Sequence, residues 1–222
     1  MTDKDYIGRL ENVVRQMLTP LKDIPFNLVI ESLTGRKVIP FNFEDSNDSE
    51  LLNILREVAV VGGGEINKYG IESKRPNEVG NYIEAFVKTA MRQFSLNPEI
   101  PAGETGRKKA TGYPDIVFFF KGKPYYLECK TYNLVNISTT QRSFYFSPSD
   151  DFKVIYDTHH FILSYEMFLD GRRGDKNVYK CSHYKILSLE ALSVDVKYEF
   201  NSDNKRMYSG KDGAILLDQG DC

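Results

Sequence analysis

The stretch GYPDIVFFFKGKPYYLECKTY, residues 112–132, decides the fold. Five apolar residues, Ile116 to Phe120, follow Asp115, and a second strand-like segment from Tyr125 to Tyr132 carries Glu128 and Lys130. The turn Lys121-Gly122-Lys123-Pro124 between them makes the pair read as a β-hairpin. Charged side chains avoid buried sheets unless they are paired or bind something. Residues two apart on a strand share a face, so Glu128 and Lys130 project together while Leu127 and Cys129 point the other way. Pairing Phe120 with Tyr125 sets Asp115 opposite Lys130 and Val117 opposite Glu128. On that register two carboxylates and an ammonium converge.

Two adjacent carboxylates raise each other's pKa unless a cation neutralises them. Hard oxygen donors suit Mg²⁺, which keeps several waters and shares its shell with substrate phosphates, and the peptide carbonyl of Cys129 completes the donor set. Such an ion stabilises charge on a phosphoryl oxygen and acidifies a bound water, with Lys130 placed to orient that water. Phosphodiester hydrolysis is one reaction this chemistry serves. The competing interpretation is an ordinary ion-pair cluster at the end of a sheet.

Upstream, residues 4–18 and SELLNILREVAVV have helical apolar spacing, the second with Ser49 as a candidate cap. IPFNLVIESLTGRKVIPFN reads as a short helix broken at Gly35 and then an extended segment. VGGGEINKYG fits neither phosphate-binding glycine fingerprint and reads as a flexible loop. Residues 76–94 form a helix with Pro76 in its first turn and Val79, Ile83, Phe86, Val87, Ala90 and Phe94 on one side. Glu78 and Glu84 fall near opposite borders of that stripe. Downstream, strands are expected over 159–168, 178–187 and 193–200, with LSLEAL as a short helix. His159, His160 and His183 read as packing residues. Helices followed by a mostly β region predict an α/β (α+β) fold, a central mixed sheet flanked by helices.

The chain has 222 residues with 41 % hydrophobic and 13 % aromatic content, which fits one globular domain. No Pro-, Gly- or Ser-rich linker divides it. The expected organisation is a single domain over 1–222 with a helical part at 1–75, and the family resemblance given below implies a catalytic core at about 76–200. The apolar runs are too short to span a bilayer, the start MTDKDYIGRL lacks the apolar core of a signal peptide, and a cytoplasmic location is expected. Three widely spaced cysteines, Cys129, Cys181 and Cys222, suggest reduced thiols and no structural zinc. The formal net charge of −2 does not announce a nucleic-acid binder, but the basic residues are clustered. Arg107, Lys108, Lys109, Arg172 and Arg173 are candidates for backbone phosphate contacts, while Gln141 and Arg142 are candidates for base edges. The segment carrying Gln141 and Arg142 equally suits a surface loop packed by its own aromatics.

Pro114-Asp115 followed by Glu128-Cys129-Lys130 resembles the signature of the PD-(D/E)XK nucleases, which include type II restriction endonucleases, repair nucleases and junction resolvases. The resemblance covers about 76–200 and implies a restriction-endonuclease-like fold and Mg²⁺-dependent DNA cleavage. It also implies a metal-assisting glutamate on the preceding helix, for which Glu84 is the choice and Glu78 the reserve. The resulting expectation is a type II restriction enzyme acting on double-stranded DNA, built as a homodimer and accompanied by a methyltransferase that protects the same site. A structure-specific or repair nuclease and a catalytically idle DNA-binding module of the same fold are the alternatives.

Overall fold

The computed structural model describes residues 3–196 except 18, 20, 110, 111, 136, 139–143 and 148. The chain divides into two compact units, Pro25–Ser193 and one formed by Met1–Ile24 with Val194–Cys222. The two-residue strands β1 (Ile24–Pro25) and β7 (Ser193–Val194) lie where the chain passes between units. In the smaller unit, helix α1 (Asp3–Met17) presents Ile7, Leu10 and Val14, all exposed. There the Val196 N–H donates to the Leu21 carbonyl at 2.8 Å. The strand expected over 193–200 is thus seen only as β7, and residues 197–200 lie outside the described residues.

The larger unit begins with α2 (Phe26–Thr34), closed at Gly35, whose φ of 68° places it in the left-handed cap conformation. Helix α3 (Ser46–Tyr69) is capped by Asp45, whose side chain accepts from the N–H groups of Asn47 and Asp48. Ser49, the expected cap, lies inside the helix.

Helix α3 also runs straight through Gly62, Gly63 and Gly64, where a flexible loop was expected. Packing explains the difference. A Cβ on Gly62 would lie 2.6 Å from Tyr165 Oη, and one on Gly63 would lie 3.3 Å from Cys181 Sγ. Glycine lets the helix backbone approach the sheet, and that contact outweighs its poor helix propensity.

Strand β2 (Ile71–Ser73) and a 3₁₀ turn at Pro76–Glu78 lead into α4 (Gly80–Gln93). Then come β3 (Ile116–Phe120), β4 (Lys123–Tyr132), β5 (His160–Arg173) and β6 (Lys176–Ser188). These build a five-stranded sheet of order β2-β6-β5-β4-β3, with β4 and β5 parallel and the other neighbours antiparallel. The mixed sheet flanked by helices is the expected α+β fold. Ile83, Val87, Ala90 and Met91 of α4 join Leu55, Val58 and Ile66 of α3 over Ile116, Phe118, Leu127, Cys129, Leu163 and Tyr165. LSLEAL is a turn rather than a helix, with Leu189 buried and the Leu192 N–H donating to Leu189 O.

The β3–β4 register differs from expectation. Phe120 pairs with Lys123 and Ile116 with Leu127, so Val117 stands opposite Tyr126 rather than Glu128. Lys121 and Gly122 both have positive φ, 49° and 76°, which makes a two-residue turn of the type I′ kind. The expected four-residue turn is two residues too long. On the observed register Glu128, not Lys130, follows on as the neighbour of Asp115.

Candidate active site

The site is built where β3 begins and β4 is half traversed. Ile116, Phe118, Leu127 and Cys129 bury one face of the hairpin in the core, so the period of two sends Glu128 and Lys130 to the other face. Asp115 bridges the strands: its N–H donates to Glu128 Oε2 at 3.2 Å, and its Oδ2 accepts from the Cys129 N–H at 2.8 Å. Lys130 Nζ lies 2.6 Å from Glu128 Oε1. The structure therefore brings Asp115, Glu128 and Lys130 together.

Glu128 is 4 % exposed, an unusual position for a carboxylate. Burial raises its pKa, Asp115 raises it further, and Lys130 opposes both. Burial likewise raises the pKa of Asp115, against the Cys129 N–H and Lys130, while Glu84 adds to the rise. Both carboxylates are held in a place that disfavours their charge.

Glu84 on α4 forms an ion pair with Lys88. Its field reaches Asp115, Cys129 and Lys153. Glu78 is occupied elsewhere: it accepts from Ser73 Oγ at 3.1 Å and lies 4.0 Å from Arg75 Nε. The Cys129 thiol points into the core and burial pushes its pKa well up, so only its peptide group faces the site. Among the described residues, no three His, Cys, Asp or Glu side chains gather closely enough to hold an ion.

Two neighbours were not found from the sequence. Lys153 is 4 % exposed, and its Nζ donates to the carbonyls of Gly112 and Lys109, the latter at 3.3 Å. Burial lowers its pKa, against the opposing fields of Asp115, Glu128 and Glu84. Tyr113, which precedes the cis Tyr113-Pro114 bond, shares a 2.6 Å hydrogen bond with Nδ1 of the fully buried His160. A lysine in DDFKVIY carries no sequence sign of burial; only the long-range contact reveals it.

A family model described as the type II restriction enzyme MjaV family matches residues 20–211. The chain is also 36 % identical to the curated "Type II restriction enzyme MjaV" of Methanocaldococcus jannaschii, covering 94 % of this chain and 95 % of that protein. The chain belongs to the MjaV type II restriction enzyme family. No solved structure matches it significantly. No helix among the described residues is long and apolar enough to cross a membrane.

In this family member the basic candidates are dispersed. Arg107 is exposed with no ion-pair partner among the described residues, while Lys108 pairs with Glu99 at 3.0 Å and Lys109 with Asp151 at 3.2 Å. Arg172 bonds Asn177 and Arg173 pairs with Glu72, both at the β5–β6 hairpin tip. Ser164 of β5 stands beside Lys130, so Arg172 lies eight residues further along the strand, on the order of 26 Å away. Gln141 and Arg142 lie outside the described residues. From the same segment, the Phe144 ring packs 5.2 Å from Tyr113 and 5.5 Å from Phe26, so this aromatic rests on the body of the unit. His160 is a packing residue as expected, and His159 bonds the Ile39 carbonyl and Asp48. The His183 side chain is 75 % exposed, which corrects its assignment to packing.

Proposed function

We propose that this member of the family is a Mg²⁺-dependent PD-(D/E)XK endonuclease that cuts double-stranded DNA at a specific sequence. The observation that supports it is the junction of Asp115, Glu128 and Lys130 through the Cys129 peptide. Two carboxylates sharing a partly buried site suit a hard divalent cation. Asp115, Glu128 and the Cys129 carbonyl would hold Mg²⁺, with Glu84 as a further ligand once released from Lys88. The ion would supply charge stabilisation at the phosphoryl oxygens and a more acidic water.

The chain's own residues supply the rest. Glu128 holds the Lys130 ammonium within hydrogen-bond reach of the site, where it donates to the attacking water or to a phosphate oxygen. The Cys129 N–H fixes the Asp115 carboxylate, so that group needs little reorganisation when DNA arrives. Glu84 is preferred over Glu78 because its field reaches Asp115 while Glu78 is held by Ser73 and Arg75.

On this reading Arg107 contacts a DNA phosphate without losing a partner, whereas Lys108, Lys109 and Arg173 exchange an ion pair for one. Arg172, Gln141 and Arg142 keep their proposed DNA contacts. Cutting both strands of a palindromic sequence suits a homodimer, and the host's own DNA in the cytoplasm requires protection by a methyltransferase of the same specificity.

Substitution tests the assignment. Asp115→Ala, Glu128→Ala and Lys130→Ala are expected to lower the cleavage rate on the order of 10²-fold or more while DNA binding persists. Glu84→Ala is expected to raise the Mg²⁺ concentration needed for cleavage. Wild-type cutting by any of the first three removes that residue from the mechanism, and an unchanged Mg²⁺ titration moves the helix role to Glu78.

A further inference from the structure

Lys153 is as deeply buried as Glu128, at 4 % exposure. Its side chain is almost wholly enclosed, and its ammonium bonds two neutral peptide carbonyls, those of Lys109 and Gly112, rather than a carboxylate. An ammonium out of water needs compensation beyond two such bonds. The Gly112 bond sets the ammonium three residues ahead of Asp115, where the fields of Asp115, Glu128 and Glu84 offset part of the burial that, with Lys88, lowers its pKa. The fold also steers it inward. Tyr126 Oη donates to the Lys153 carbonyl at 3.2 Å and accepts from the Ile155 N–H at 2.8 Å. Tyr126 sits on β4 two residues before Glu128, so the strand that presents the carboxylate also anchors the backbone that presents Lys153.

Resting on the nuclease reading above, we propose that Lys153 is a positioning residue with two effects on one site. Its ammonium ties down the chain at Lys109 and Gly112, six and three residues before Asp115, and its fixed positive charge opposes the divalent ion that Asp115 and Glu128 would hold. A purely structural clamp would give only the first effect. The opposing charge has a use: it partly neutralises the carboxylates before the ion binds and favours release of the ion afterwards.

The experiment compares Lys153→Arg, Lys153→Met and Lys153→Gln in the full chain. Mg²⁺ affinity is measured by calorimetry on DNA-free protein, thermal unfolding is followed with chelator, and cleavage is timed at saturating Mg²⁺. Lys153→Arg keeps charge and donors and is expected to stay close to wild type in Mg²⁺ affinity. Lys153→Met and Lys153→Gln are expected to bind Mg²⁺ several-fold more tightly and to cut at least about tenfold more slowly, because Asp115 is less well held. Gln keeps an N–H donor, one bond shorter than that of lysine, so it carries the test if the Met variant does not fold. Unchanged Mg²⁺ affinity in the folded uncharged variants overturns the inference, whatever their rates. Wild-type protein that cuts DNA in chelator instead overturns the metal-dependent reading itself, so the two failures are distinct.

Discussion

Asp115 and Glu128 occupy a position that costs stability when both are ionised and no divalent ion is bound. Their pKa values are raised chiefly by burial, so the folded protein binds these protons more tightly than the unfolded chain. Their favourable contribution is therefore complete below the unfolded pKa, about 4, and is lost as pH rises through the folded values. In metal-free protein, Asp115→Asn is expected to increase stability at pH 7, with the gain vanishing towards pH 4; denaturant unfolding across that range checks it. His160 works in the opposite direction. Burial lowers its pKa from 6.5 to about 3, so its contribution is present above pH 6.5 and is lost as pH falls towards 3. That linkage is worth on the order of 5 kcal/mol over the window. His160→Phe loses the Tyr113 bond and is expected to be less stable at pH 7 by about 1–3 kcal/mol, with the deficit narrowing as pH falls. Parallel pH profiles for the two proteins would contradict this.

At the scale of elements, α3 carries three successive glycines that serve different ends. Gly62 and Gly63 face Tyr165 and Cys181, whereas a Cβ on Gly64 meets nothing within 4 Å. The Tyr165 hydroxyl bonds the Ala59 carbonyl at 2.9 Å and is fully enclosed, so it has little freedom to give way. Gly62→Ala is expected to lower stability by about 1–3 kcal/mol, and Gly64→Ala to raise it by up to about 1 kcal/mol. Thermal unfolding of the pair distinguishes helix–sheet contact from a mere loop, in which neither change would matter. From sequence alone the three glycines read as a breaker, because propensity is local and the Tyr165 contact is more than 100 residues distant. The hairpin of the candidate site was legible for the converse reason: strand alternation and a short turn are local signals, and they determine which residues share a face. The register was not legible, since it depends on Lys121 adopting positive φ, unusual for a residue with a long side chain. Lys153 was not legible because the partners of its carbonyl and its ammonium, Tyr126 and Gly112, are both distant in sequence.

At the scale of the whole molecule, a net charge of −2 gives no general attraction for a polyanion. Affinity for DNA must come from local groups, and among the described residues Lys88, Lys108, Lys109 and Lys130 already have carboxylate partners. Such a protein is expected to bind random DNA weakly and to commit only where base contacts add to phosphate contacts. The most direct test is to incubate the purified protein with a long duplex DNA in Mg²⁺ or in chelator and resolve the products by size. Discrete fragments that appear only with Mg²⁺ are the expected result. Intact DNA in Mg²⁺, a smear without preferred fragments, or equal cutting in chelator would contradict a metal-dependent, sequence-specific endonuclease.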